Sequence, residues 1–522
     1  MSIMLIRKRK FKLSRPRRRA YSSLSRRRRT GVGLFVLAGL FLLAAVVLTI
    51  ISIVQFKSVA VVYPNGSQIG GIPVGGLSRK MAEERLRDAY SIPVELRYDN
   101  ACIQFSPDVL GLTLSIKETL DNADAQNPGS TWWAYLWGKL ETPTAFTLPM
   151  QFSENQVMTR QVLEDTFPNR YDQLASATIP VVNSYHVLPG EPGLALADYD
   201  ETVAQIMNAL KSPNQRVVQL RVEESPALAM LWENLEIKLR QTIEQEGFNG
   251  LVEIYLEDLQ NGRLIHFATR GGTDVPVDVA YSGASTVKIP IMVSTMRRVS
   301  DPIPATASTW MKAMIQDSLN PPADGLMKNY MDNNTGPLMV TDDMRELGYQ
   351  NTFMAGFFEP GSPLLYKYET PANIRTDVYL NPDTYNQTVP SEIGDLLKRI
   401  YLCAKHDSPE YNLFDGEVSQ SECQIMIDNL LSNRMGALIE VGVAPEGRVA
   451  HKHGWTNETD GLLHTISDVG IVFSPGGDYV LVIFIHSTGQ LLFDEGNLLF
   501  ARLSQSIYNA YNPYQQAVVY IE

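Results

Sequence analysis

The chain has 522 residues, room for about three folded units, and its 44% hydrophobic and 20% charged residues make an ordinary globular composition. The net charge of −12 hides a split: residues 1–30 carry thirteen Lys or Arg and no acid, whereas residues 57–522 carry 32 basic and 57 acidic residues, a net of −25. So acidic a body speaks against nucleic acid as a partner. With no Cys-x-x-Cys or His-Glu-x-x-His in the chain, no metal or cofactor is expected.

In chain order, the basic run 1–30 reads as a cytoplasmic tail and 31–56 as a transmembrane helix. Gly31 to Phe56 holds no charge. It is long enough to cross a bilayer of roughly 30 Å at 1.5 Å per residue. A secretory signal has an apolar region of only about 7–15 residues, so a span is expected, with cleavage after Ser58-Val59-Ala60 as the alternative. The basic cluster keeps the N-terminus in the cytoplasm and puts everything after Phe56 outside. Its place against the span favours topogenic and lipid-headgroup duty over a nucleic-acid arm.

Residues 57–160 and 161–225 read as two small α+β modules. Ser106-Pro107-Asp108-Val109-Leu110-Gly111-Leu112-Thr113-Leu114 is echoed 82 residues later by Leu188-Pro189-Gly190-Glu191-Pro192-Gly193-Leu194-Ala195-Leu196. Each copy follows a strand pattern (Val94–Tyr98, Ile179–Val182) and precedes an amphipathic helix (Ile116–Asp124, Asp200–Leu210). Ser78 is placed to cap a helix over Arg79–Ala89. Residues 226–522 form a larger domain. A helix over Ala227–Glu246 leads into strands Val252–Glu257 and Arg263–Thr269, joined by a turn with Asn261-Gly262. Three strands come late: Val449–Gly454, Ile466–Phe473 and Tyr479–Ile485. A helix over Glu495–Tyr511 closes the domain. The sheet is split, two strands early and three late, with a helical stretch between.

Ser285-Thr286-Val287-Lys288 opens a helix between the two sets of strands. Serine and lysine three apart share one helix face, which can activate a hydroxyl without histidine. Downstream, Ser318-Leu319-Asn320 lies where a loop enters a helix, Glu369-Thr370-Pro371-Ala372-Asn373 in a loop, and Lys452-His453-Gly454-Trp455 on a late strand. Of the three cysteines, Cys403 and Cys423 sit at helix ends flanking a polar loop and are the pair to expect outside the cytoplasm, with Cys102 a buried apolar residue; the alternative is three unpaired buried thiols.

These motifs and their order resemble the penicillin-recognising serine hydrolases, class A β-lactamases most of all, over about residues 228–515. The resemblance implies an α+β fold, with a five-stranded antiparallel sheet flanked by helices and an all-helical lobe. It also implies roles. Ser285 is the nucleophile that forms an acyl-enzyme and Lys288 its base. Ser318 relays a proton to the leaving nitrogen. Lys452 supplies positive charge for the substrate carboxylate, and Glu369, positioned by Asn373, activates the deacylating water. Asn320 holds the substrate's amide side chain, and His453 and Gly454 line the carboxylate end. The N–H groups of Ser285 and Trp455 form an oxyanion hole. The implied function is β-lactam hydrolysis by a membrane-anchored hydrolase. The alternatives are a D-Ala-D-Ala carboxypeptidase or transpeptidase acting on the peptidoglycan stem peptide, and a weakly catalytic wall-binding protein. Residues 57–225 resemble modules described as peptidoglycan-binding, with a spacer as the other reading. Three departures from the family pattern stand out: His453 replaces Ser or Thr, Leu319 replaces Asp, and only 33 residues separate Ser285 from Ser318, so helices between them are expected to be missing. His451 and His453 share a strand face, where no metal is expected.

Overall fold

The computed structural model describes residues 31–59, 62–126, 132–138, 144–406, 408–458 and 460–520. The basic tail 1–30 lies outside the described residues. Two compact units emerge: Met1–Arg170 with Leu196–Val222, and Tyr171–Ala195 with Glu223–Glu522.

In the first unit, Gly31–Val59 is one helix, and its stretch Phe35–Lys57 is long and apolar enough to cross a membrane. Ser78 caps the helix Arg79–Ser91 through a bond from the Met81 N–H. Val94–Tyr98 pairs antiparallel with Ala101–Phe105 and parallel with Val217–Gln219. Along Ala101–Phe105 the side chains alternate, so Ile103 turns inward while Cys102 is exposed. Cys102 is therefore a surface thiol and not the buried residue expected.

The second unit is built on one antiparallel sheet. A helix α1 (Trp232–Gln245) precedes β1 (Leu251–Asp258), β2 (Leu264–Arg270) and β3 (Thr273–Val275). The middle of the chain supplies α2 (Lys288–Met296), α3 (Ala305–Gln316), α4 (Asn320–Tyr330), α5 (Gly336–Glu346), α6 (Pro390–Lys405) and α7 (Gln420–Leu431). The chain then returns as β4 (Arg448–Asn457), β5 (Leu463–Phe473), β6 (Tyr479–His486) and α8 (Phe493–Tyr511). Strand order is β3-β2-β1-β6-β5-β4, so the last strand inserts beside the first. Three details differ from the sequence reading. The sheet has a sixth strand, because Gly271 and Gly272, both at positive φ, turn β3 back onto β2 with Arg270 opposite Thr273. Helix α1 starts at Trp232 and not at Ala227. The Leu228 N–H and C=O are already bonded to Ser176 and Thr178, so that segment cannot coil. Between Ser285 and Ser318 the short segment still holds all of α2 and α3.

Both faces of the sheet are covered. Val252, Ile254, Leu481, Ile483 and Ile485 pack with α1 and α8, whereas Val480, Val482 and Phe484 pack with the helical lobe. Strand β6 is buried at every position, which is why it reads as an unbroken apolar run. Residues 171–195, grouped by sequence with the second small module, pack in this unit. Their hairpin is bonded by Gln516 at the Val187 N–H (3.0 Å) and carbonyl (2.9 Å), and Tyr514 Oη donates to the Gly190 carbonyl.

Candidate active site

Ser285 stands in a tight turn just ahead of α2. The Thr286 N–H and hydroxyl both donate to the Gly283 carbonyl, and Ala284 is held at φ 47°, a left-handed conformation costly for a residue with a Cβ. The Lys288 N–H donates to the Ser285 carbonyl at 3.3 Å, so the two side chains sit one turn apart. All nine residues of α2 are buried, Lys288 included. Ser318, at φ 56°, occupies the break between α3 and α4, so its carbonyl and hydroxyl both face Lys288.

These constraints fix a compact set of distances. Lys288 Nζ lies 2.9 Å from Ser285 Oγ, 2.6 Å from the Ser318 carbonyl oxygen and 2.8 Å from Asn320 Oδ1. Ser318 Oγ lies 3.1 Å from Ser285 Oγ, and Lys452 Nζ donates to it at 2.9 Å. Burial lowers the Lys288 pKa to about 7, against the opposing pull of Asp324. Burial and the proximity of Lys288 push Lys452 well below the ordinary lysine range, Asp468 acting the other way. A neutral Lys288 has two N–H bonds and one lone pair. The Ser318 carbonyl and Asn320 Oδ1 accept only, so they take both N–H bonds. The lone pair is left facing the Ser285 hydroxyl.

Strand β4 closes against this turn. A Cβ on Gly454 would lie 3.1 Å from the Gly283 carbonyl oxygen and 2.9 Å from Ser467 Oγ, so only glycine lets the strand approach so closely. The Ser285 N–H meets no acceptor among the described residues, as an oxyanion donor requires.

Comparisons with known proteins bear on this region. Residues 301–511 match the model of the β-lactamase enzyme family. The C-terminal domain is β-lactamase-like. Solved structures similar to it include a PBP-A mutant described as an acyl-enzyme complex with penicillin G (17% identity, 54% of this chain and 97% of that one, TM-score 0.39). A class A β-lactamase from Mycobacterium abscessus (17%, 53% and 99%, 0.38) and an ancestral class A β-lactamase (19%, 53% and 99%, 0.38) are also similar. Comparison with curated proteins gave no match.

The β-lactamase-like domain thus brings Ser285, Lys288, Ser318, Asn320 and Lys452 together, with Gly454 beside them. His453 is buried and its ring stacks on Trp455 with centroids 4.6 Å apart. Burial, then Lys452, His451 and Lys288, lower its pKa to about 2, so it is a neutral imidazole. Asn433, which sequence reasoning did not single out, sets its tautomer. The Met435 N–H donates to Asn433 Oδ1 at 3.0 Å, which identifies that atom as the oxygen. Asn433 Nδ2 then donates to the His451 carbonyl (3.1 Å) and to His453 Nδ1 (3.3 Å). Nδ1 is therefore the acceptor and Nε2 carries the proton. His451 itself pairs through Nδ1 with both Asp468 carboxylate oxygens at 2.9 Å. Burial opposes its charge, but Asp468 and Glu440 prevail and hold its pKa up to about 9.

Glu369 and Asn373 are placed differently. Asn373 pins its own loop: its Oδ1 accepts from the Thr370 N–H, and its Nδ2 donates to the Tyr368 carbonyl and Gln387 Oε1. Glu369 is exposed, and among the described residues no hydrogen bond or ion pair joins it to Asn373, Lys288 or Ser285. Sequence reasoning also missed Phe358, whose ring centroid lies 5.3 Å from Lys288 Nζ. The Asp324 carboxylate seats it by accepting from the Phe358 and Glu359 N–H groups. No short motif marks Asn433, Asp324 or Phe358, because each acts through a contact made only on folding.

Proposed function

We propose that this protein is a membrane-anchored, extracytoplasmic serine hydrolase that opens β-lactam amides through an acyl-enzyme on Ser285. What carries the reading is the lone pair of a neutral Lys288 aimed at Ser285 Oγ across 2.9 Å. Lys288 takes the Ser285 proton as Oγ bonds to the amide carbonyl carbon, and the carbonyl oxygen becomes an oxyanion facing the Ser285 and Trp455 N–H groups. As the C–N bond breaks, Ser318 gives its proton to the leaving nitrogen and regains one from Lys288, 3.4 Å away. Lys452 and the Nε2–H of His453 meet the substrate carboxylate, whose charge favours the ammonium form of Lys452. Asn320 holds the amide side chain. Water activated by Glu369 then frees the acid and restores Ser285. The apolar stretch Phe35–Lys57 and the basic residues before it support the anchor, with the N-terminus in the cytoplasm.

A second reading is a D-Ala-D-Ala carboxypeptidase or transpeptidase with a long-lived acyl-enzyme. The exposure of Glu369, with no bond tying it to the site, favours it. One experiment separates the two. The full chain in detergent is mixed with a chromogenic cephalosporin and a fluorescent penicillin, beside Ser285→Ala and Glu369→Ala. Turnover lost in both variants supports hydrolysis. A stable label on wild type without turnover supports the second reading. A wild-type chain that takes no label sinks both.

A further inference from the structure

Three of the six tryptophans fall within six residues: Trp132, Trp133 and Trp137, with Tyr135 and Leu136 between them and no charged side chain from Trp132 to Trp137. The short helix Trp132–Leu136 has no buried residue, and Trp133 and Trp137 are 64% and 75% exposed. A folded domain in water gains nothing from showing such a cluster, which marks a contact surface.

The cluster rests against the end of the apolar helix Gly31–Val59. Trp132 Nε1 donates to Ser52 Oγ at 3.3 Å, and the Tyr135 ring centroid lies 5.6 Å from that of Phe56. Ser52 and Phe56 are one turn apart on one face, and Lys57 is the first charge after the apolar stretch. That is the level at which hydrocarbon gives way to headgroups. Indole and phenol rings favour this depth, because the ring is apolar while its N–H or O–H needs a polar partner.

We infer that Trp132–Trp137 is a second membrane-contact element, which beds into the headgroup layer beside the end of the span; its partner is a phospholipid surface. The inference rests on reading Phe35–Lys57 as a membrane span.

Tryptophan fluorescence tests it, because the apolar helix itself contains no tryptophan. The full chain is reconstituted into phosphatidylcholine vesicles whose acyl chains carry bromine at shallow or deep positions. The expected result is quenching that is stronger with shallow than with deep bromines, and lost in the Trp132→Ser/Trp133→Ser/Trp137→Ser variant. The wild-type depth profile does not depend on how the variant folds. Absent quenching, stronger quenching by deep bromines, or equal quenching in a folded variant, with the chain resisting alkaline carbonate extraction, overturns the inference and leaves the span intact. A chain that carbonate strips from the vesicles overturns both.

Discussion

At the residue scale, the chemistry turns on which amine is neutral. Lys288 loses its proton near pH 7, because burial penalises the ammonium more than Asp324 favours it. The free base exists above that pH. The acylation rate constant is therefore expected to rise about tenfold per pH unit below pH 7 and to level off above it. Stopped-flow acylation by a penicillin checks this, and a flat profile from pH 5 to 9 would refute Lys288 as the base. Lys288→Ala is expected to slow acylation by roughly 10²–10⁴-fold, the usual range for a lost general base.

Asn433 acts at one remove, by holding His453 with its proton on Nε2. Asn433→Leu frees the ring to present an unprotonated nitrogen to the substrate carboxylate. KM is expected to rise about tenfold, the order for one hydrogen bond to a charged group, with kcat little changed. Nitrogen-15 shifts of the His453 ring would report the change of tautomer directly, which loss of packing alone would not produce.

At the element scale, α2 is positioned by burial and not by capping. The cap residue before it, Val287, makes no side-chain cap bond, and Pro290 stands in the first turn, where an absent N–H is tolerated. The helix is held because all nine residues are buried, with Ile289, Ile291, Met292, Val293 and Met296 in the core beneath the sheet, and this sets the Lys288 amine in a dry site. Helices α6 and α7 in the same lobe are tied by the Cys403–Cys423 disulfide. Closing a loop 20 residues long restricts the unfolded chain, so Cys403→Ser/Cys423→Ser is expected to cost about 3 kcal/mol. Urea denaturation measures that loss, and an unchanged midpoint would mean the unfolded chain gains nothing from the break.

At the scale of the whole molecule, topology is the property to test. Cys102 is the one free thiol, and it is exposed. If everything after Phe56 lies outside, a membrane-impermeant maleimide labels Cys102 on intact cells, and Cys102→Ser abolishes the label. Labelling only after lysis would place the folded body inside and remove the extracytoplasmic reading.

The sequence alone determined the elements whose cause is local. The uncharged run 31–56, the Asn261-Gly262 turn and the late strand over Tyr479–Ile485, an unbroken apolar run, all express short-range chemistry, and each lies where it was expected. The order Ser285, Lys288, Ser318, Asn320, Lys452 was legible too, because each belongs to a short motif at an element boundary. What depended on distant partners was not legible. The sixth strand needed a turn to find an open sheet edge, and Cys102 needed a partner strand to decide which face is wet. Glu369 was read from its spacing to Asn373, yet Asn373 spends its bonds on its own loop and Gln387, and Glu369 turns to solvent. Asn433 meets His453 across 20 positions of sequence, and the Lys288 pKa depends on burial that no local pattern records. Residue types and their spacing name the groups that could react; only the packed core decides which are dry, which face one another, and so which proton can move.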